Sequence, residues 1–146
     1  MTGDDALRRI LTNYKRVAIV GLSADRSRPS NVVANYLLDH GFEVTPVNLK
    51  YNEILGQPCY PDLTAIPTPV DIINLFQRSE RVPPFVDAAI DIGAKVIWMQ
   101  LGIVHEEAAE KARAAGLEVV MNRCIKIEYA RLFGGLNSAG VNSGVI

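Results

Sequence analysis

Three times along this chain a helix-forming stretch ends at a glycine and a short apolar run begins at once. The segments are Tyr36 to Val47 (YLLDHGFEVTPV), Ala88 to Met99 (AAIDIGAKVIWM) and Lys111 to Met121 (KARAAGLEVVM). Glycine enters the left-handed conformation without a Cβ clash, so Gly41, Gly93 and Gly116 stand where a helix can stop and release the chain. Each run that follows is short and contains valine or isoleucine, as a strand buried in a parallel sheet requires. Strands separated by helices pair in parallel, and their crossovers are right-handed. Few folds remain open to such a sequence.

Two further runs complete the set, Val17-Ala18-Ile19-Val20 and Val70 to Phe76. The pattern predicts strands at 17–20, 43–47, 71–76, 95–99 and 118–121, with connecting helices near 29–40, 80–92 and 104–115. Right-handed crossovers then put helices on both faces. The predicted class is α/β, Rossmann-like and doubly wound, with a mainly parallel five-stranded sheet. Residues 4–13 carry Ala6, Leu7, Ile10 and Leu11 on one side and predict an amphipathic helix. Residues 48–70 contain four prolines and predict turns with a short extra strand or helical turn. A last helix is predicted over 125–133. The Gly-, Asn- and Ser-rich stretch 134–146 is expected to be a mobile tail after a domain spanning 1–133.

A chain of 146 residues fits one domain. Its formal net charge of -1 provides no overall basic field for nucleic acid or an anionic membrane. No apolar run is long enough to span a bilayer, and the start, Met1-Thr2-Gly3-Asp4-Asp5, lacks an apolar signal core. Cys59 and Cys124 have neither metal-type nor disulfide-scaffold spacing, and reduced thiols in a cytoplasmic protein are expected.

Open parallel sheets bind ligands beyond the carboxyl ends of their strands. The five predicted exits read Gly21-Leu22-Ser23, Asn48-Leu49-Lys50, Gln77-Arg78-Ser79, Gln100-Leu101-Gly102 and Asn122-Arg123. The first exit leads through Ala24-Asp25-Arg26-Ser27-Arg28 to Pro29 and Ser30. Gly21 permits a tight turn, and Pro29 suits a helix's first turn. The free N–H groups at a helix start attract phosphate, and Arg26 and Arg28 add charge. The same residues also describe a plain capped helix with solvated arginines. The dinucleotide fingerprint Gly-x-Gly-x-x-Gly is absent, because Ser23 replaces its second glycine and no third follows. Asn48 and Lys50 stand near the place of the acidic residue that reads a ribose diol. A lysine there favours a ribose phosphate, which leaves NADP and coenzyme A open.

The run VAIVGLSADRSRPSNVVANYLLDHGFEVTPVN resembles the stand-alone CoA-binding domain proteins, close to the bacterial YccU-like group. GQPCYPDL, the Phe76-Gln77-Arg78-Ser79 segment with Val82-Pro83-Pro84, VIWMQLG and MNRCIKIEYARL carry the likeness on, over roughly residues 5–133. These proteins are similar to the nucleotide-binding domain of the succinyl-CoA synthetase alpha subunit without its catalytic partners. The resemblance implies coenzyme A lying across the strand ends. It implies that Gly21, Ser23, Arg28, Pro29 and Ser30 meet phosphate, and that Val47, Asn48 and Lys50 meet the adenosine and its 3′-phosphate. Phe76, Arg78 and Val82 would flank the adenine or the pantetheine arm.

The function expected on this resemblance is non-catalytic CoA binding, as a carrier, sensor or regulator in acyl-CoA metabolism. The alternatives are an NADP-binding oxidoreductase and a CoA-binding subunit of an acyl-CoA ligase complex. A homodimer or a ligase partner is the expected kind of assembly, with no metal. His40 and His105 are read as helix-end residues, and Asp25 and Glu128 as capping or solvated groups rather than catalysts. Trp98 and Cys59 are read as structural. Cys124 falls near the ligand edge, where it is either a partly buried inert thiol or one able to exchange disulfides with the thiol of coenzyme A.

Overall fold

A computed structural model gives the architecture and describes residues 2–134. The expectation for the tail falls on residues outside this range, apart from Gly134. Five strands, β1 (Arg16–Val20), β2 (Glu43–Val47), β5 (Ile72–Leu75), β6 (Val96–Met99) and β7 (Glu118–Val120), form one parallel sheet. Its order is β2-β1-β5-β6-β7. The order reverses direction between β1 and β5, so the crevice of the fold opens there, at the carboxyl ends of those two strands.

The three predicted helix–glycine–strand junctions share one set of hydrogen bonds. Helices α2 (Pro29–Asp39), α3 (Val82–Asp91) and α4 (Glu106–Ala114) each end in a Schellman closure. At the first, the Phe42 N–H donates to the Leu37 carbonyl at 3.0 Å and the Gly41 N–H to Leu38 at 3.4 Å. Ala94 to Ala89 with Gly93 to Ile90, and Leu117 to Ala112 with Gly116 to Arg113, repeat it. The residue after each glycine is buried against the helix it leaves, which turns the chain straight into the sheet.

Alternation along the strands divides the core into two layers. Val17, Ile19, Ile72, Val96 and Trp98 share a cluster with residues of α1 (Asp4–Asn13), α2 and α5 (Ile125–Tyr129). Ala18, Val20, Ile73, Leu75 and Ile97 share the other with α3 and α4. The crossover from β2 to β5 has no α-helix, because four prolines interrupt it. It forms a hairpin of β3 (Glu53–Ile54) and β4 (Gln57–Pro58), then a 3₁₀ turn at Leu63–Ala65 capped by the Asp62 carboxylate. Leu63 and Val70 bury against the second layer in place of a helix.

The third strand is two residues shorter than predicted. At its start the Asp71 carboxylate pairs with Arg16 Nε and Nη2, at 3.0 and 2.9 Å, and at its end the regular strand stops at Leu75, although the Phe76 N–H still donates to the Val20 carbonyl. The predicted helix over 125–133 is α5 followed by a π turn at Ala130–Gly134. No helix among the described residues is long and apolar enough to cross a membrane.

Arg9 clamps α1 to β7 by donating to both carboxylate oxygens of Glu118. That hydrogen bonding holds the Glu118 carboxyl below its ordinary value of 4.5, against the opposing effect of burial. A carboxylate depressed in the folded state adds stability above its unfolded value, and this is lost as pH falls through the folded value. The melting temperature of the native chain should therefore fall more steeply below pH 4.5 than that of Arg9→Gln. The difference should be small, since both groups are partly exposed. Identical acid profiles by scanning calorimetry would show that the clamp contributes nothing.

Candidate functional site

At the β1/β5 reversal two exits are pressed together. The Phe76 N–H donates to the Val20 carbonyl, and the Gly21 N–H donates to the Val47 carbonyl at 2.9 Å. Gly21 has φ +85, and a Cβ there would collide with the Phe76 carbonyl oxygen and lie 2.9 Å from Gln77 Nε2. Only glycine leaves the first turn at this position, for conformational and for steric reasons.

From Gly21 the chain runs to α2 through a loop held by its own side chains. The buried Ser30 hydroxyl accepts the Ser23 N–H at 3.0 Å, and the buried Asn31 amide donates to the Ser23 carbonyl at 2.8 Å. Asp25 accepts the N–H and hydroxyl of Ser27, and these bonds hold its carboxyl below the usual carboxylate range. The second exit is tied to the first: Asn48 Nδ2 donates to the Leu22 carbonyl at 3.0 Å, and Asn48 Oδ1 accepts the Lys50 N–H at 2.9 Å. Arg28, Pro29 and Lys50 remain exposed above this braced floor.

Two cavities follow. The first, about 380 Å³, is lined by Gly21, Ser23, Arg28, Pro29, Ser30, Asn48, Lys50, Tyr51 and Phe76. The second, about 700 Å³, shares Pro29 and Phe76 and continues to Arg78, Arg81, Gln100 and Cys124. Its remaining wall is largely apolar, with Val33, Leu101, Ile103 and Ile127. The pair forms a groove that is mostly polar at one end and mostly apolar at the other, with two cationic side chains in the wall of each. A larger cavity of about 780 Å³ lies by edge strand β7, among Val104, Glu106, Val119 and Asn122, and shares no lining residue with the groove.

Nine of the eleven residues singled out from the sequence line this groove; Arg78 is in the second cavity and the other eight in the first. Val47 and Val82 do not. They are 2% and 0% exposed, and their side chains belong to the core layer with α3 and α4. Val47 serves the site through its carbonyl, which anchors Gly21. Val47 ends β2, where the face it takes depends on strand register, and Val82 begins α3, where it depends on how the helix packs on the sheet. Tyr51, Arg81, Ile103 and Ile127 are wall residues that sequence reading missed: the first three lie just beyond the exits read from the sequence, and Ile127 comes from α5. Gln77, Gln100 and Leu101 stand at strand exits, the one signal available for them.

The other titratable candidates are engaged elsewhere. His105 caps α4 by accepting the Ala108 N–H, and His40 stacks on Tyr36 with centroids 3.9 Å apart. Glu128 is buried and paired with Arg123 and Arg131. Cys59 is buried, which pushes its thiol pKa up. No group of three or more metal-ligating side chains converges among the described residues.

The model of a CoA binding domain matches residues 15–130. The chain is 39% identical to YneT of Bacillus subtilis over 124 residues, covering 85% of this chain and 92% of that one. It superposes on a protein of Pyrococcus horikoshii OT3 with TM-score 0.89 and 44% identity, covering 91% and 94% of the two chains. It is 30% identical to an ADP-forming acetate–CoA ligase of Archaeoglobus fulgidus over 121 residues, and spans 18% of that ligase.

Gly21→Ala should destabilise the fold by about 2 kcal/mol or more, from backbone strain plus the clash with Phe76. Urea denaturation would register this as a lower midpoint at unchanged slope. An unchanged midpoint would show that the two exits are not packed against each other.

Proposed function

The chain belongs to the CoA binding domain family, and from that premise we propose that the paired cavities hold coenzyme A. The phosphorylated adenosine lies over the first and second exits. The pantetheine arm passes Pro29 and Phe76 into the larger cavity. One observation carries this reading: a small polar pocket with Arg28 and Lys50 in its wall adjoins a larger, largely apolar one, and the two share Pro29 and Phe76.

The chemistry of the ligand fits that division. Coenzyme A has an anionic head and a long uncharged arm. Arg28 and Lys50 offer cations to the phosphates, and the start of α2 adds its partial positive charge. Lys50, set by the Asn48 turn, is the residue for the 3′-phosphate. NADP would place a second ribonucleotide where Val33, Leu101, Ile103 and Ile127 form the wall, which suits it less well.

The role is that of a binding module, a carrier, sensor or regulator, acting in the cytoplasm without chemistry of its own. The likeness to one stretch of an ADP-forming acetate–CoA ligase supports a second reading, in which the domain presents coenzyme A to separate ligase subunits. Recovery of a CoA ligase subunit with the tagged native chain would favour that second reading.

Calorimetry with coenzyme A, dephospho-coenzyme A and NADP tests the assignment. Coenzyme A should bind most tightly. Lys50→Ala should weaken it by about tenfold, the loss of one charge-assisted contact, and should leave dephospho-coenzyme A unchanged. Tighter binding of NADP, or equal loss for both coenzyme forms, would overturn the placement.

A further inference from the structure

Gln100 follows β6 and is 4% exposed, yet it lines the larger cavity. Its Oε1 accepts two hydrogen bonds, from Asn74 Nδ2 at 2.9 Å and from the Ile125 N–H at 3.0 Å. The second bond fixes the amide. A main-chain N–H can only donate, so the oxygen of Gln100 has to face Ile125 and the nitrogen has to point elsewhere. Asn74 then has to turn its own nitrogen toward Gln100. Its Oδ1 is left sealed in the interior without a partner.

An orphaned buried acceptor is uncommon and costs stability. Here it accompanies one fixed orientation of the neighbouring amide. Gln100 Nε2 makes no hydrogen bond among the described residues. Unlike Asn74 Oδ1, it is not sealed away. Gln100 thus lines the cavity with its amide orientation locked and its N–H₂ without a partner among the described residues, in a wall that includes Val33, Leu101, Ile103 and Ile127 besides Arg78 and Arg81.

We propose that Gln100 is a specificity-determining residue whose Nε2 donates to an uncharged carbonyl oxygen on the ligand arm, an amide or thioester carbonyl of a pantetheine chain. The proposal rests on the reading of the groove given above and assigns it a second recognition element, distinct from the phosphate end. A donor of this kind favours an amide-bearing arm over a hydrocarbon of the same length, which would leave the amide unpaired. Asn74 is the positioning residue, acting through Gln100.

Gln100→Glu tests it. The variant keeps an oxygen for Ile125 and Asn74 and replaces the donor by an acceptor. Coenzyme A and adenosine 3′,5′-bisphosphate, which has the anionic head and no arm, are titrated by calorimetry into the native chain and the variant. Coenzyme A should bind the variant about tenfold or more weakly, and the bisphosphate should bind both equally. Equal affinity of both proteins for coenzyme A would overturn the role of Gln100 and leave the groove assignment intact. A native chain that bound neither compound would overturn the groove assignment and this role with it.

If Gln100→Glu does not fold, the native chain decides by nuclear magnetic resonance. The Gln100 side-chain N–H₂ signals should move on adding coenzyme A and stay in place with the bisphosphate. Signals unmoved by saturating coenzyme A would refute the contact.

Discussion

The close approach of β1 and β5 at their carboxyl ends is the constraint on which the groove depends. These neighbours in space have chain neighbours on opposite sides, so their exits diverge and leave a crevice. The crevice is as narrow as a backbone allows, because Gly21 sits against the Phe76 carbonyl with no room for a side chain. Every later feature is measured from that contact. The loop to α2 starts at Gly21, the second exit is tied to Leu22, and Phe76, with Pro29, forms part of the wall of both cavities.

The polar end is built by rigidity below and freedom above. Ser30, Asn31 and Asn48 spend their hydrogen bonds on the main chain of Leu22 and Ser23, which fixes the floor. Arg28 and Lys50 stay exposed, and their side chains form no salt bridge among the described residues. A fixed floor reduces the ordering cost of binding, and exposed cations retain their long reach. The fold contributes the start of α2 at no further cost in residues.

The apolar end depends on a different device. α5 returns across the first core layer, and the Ile125 N–H at its start is accepted by Gln100 Oε1. The Trp98 indole donates to the Arg123 carbonyl at 2.8 Å, just ahead of α5. Cys124 and Ile127 thus reach the groove from the end of the described chain. Buried polar groups set that position, with Asn74 Oδ1 left unpaired.

The sequence alone determined the class of fold and most of the polar end. Schellman glycines, short β-branched runs and the Gly21-to-Pro29 turn are local signals, each written in a few consecutive residues. Gly21, Ser23, Arg28, Pro29, Ser30, Asn48 and Lys50 were legible because all lie within a few residues of a strand end or helix start. Only the tertiary structure decided which way Val47 and Val82 face, and both turned into the core, Val47 through the register of β2 and Val82 through the packing of α3 on the sheet. It alone showed that Tyr51 and Ile103, in loops just past two strand exits, and Ile127, in α5, meet at the wall. It alone oriented Gln100, because an amide has no preferred direction until a main-chain N–H far along the sequence meets its oxygen.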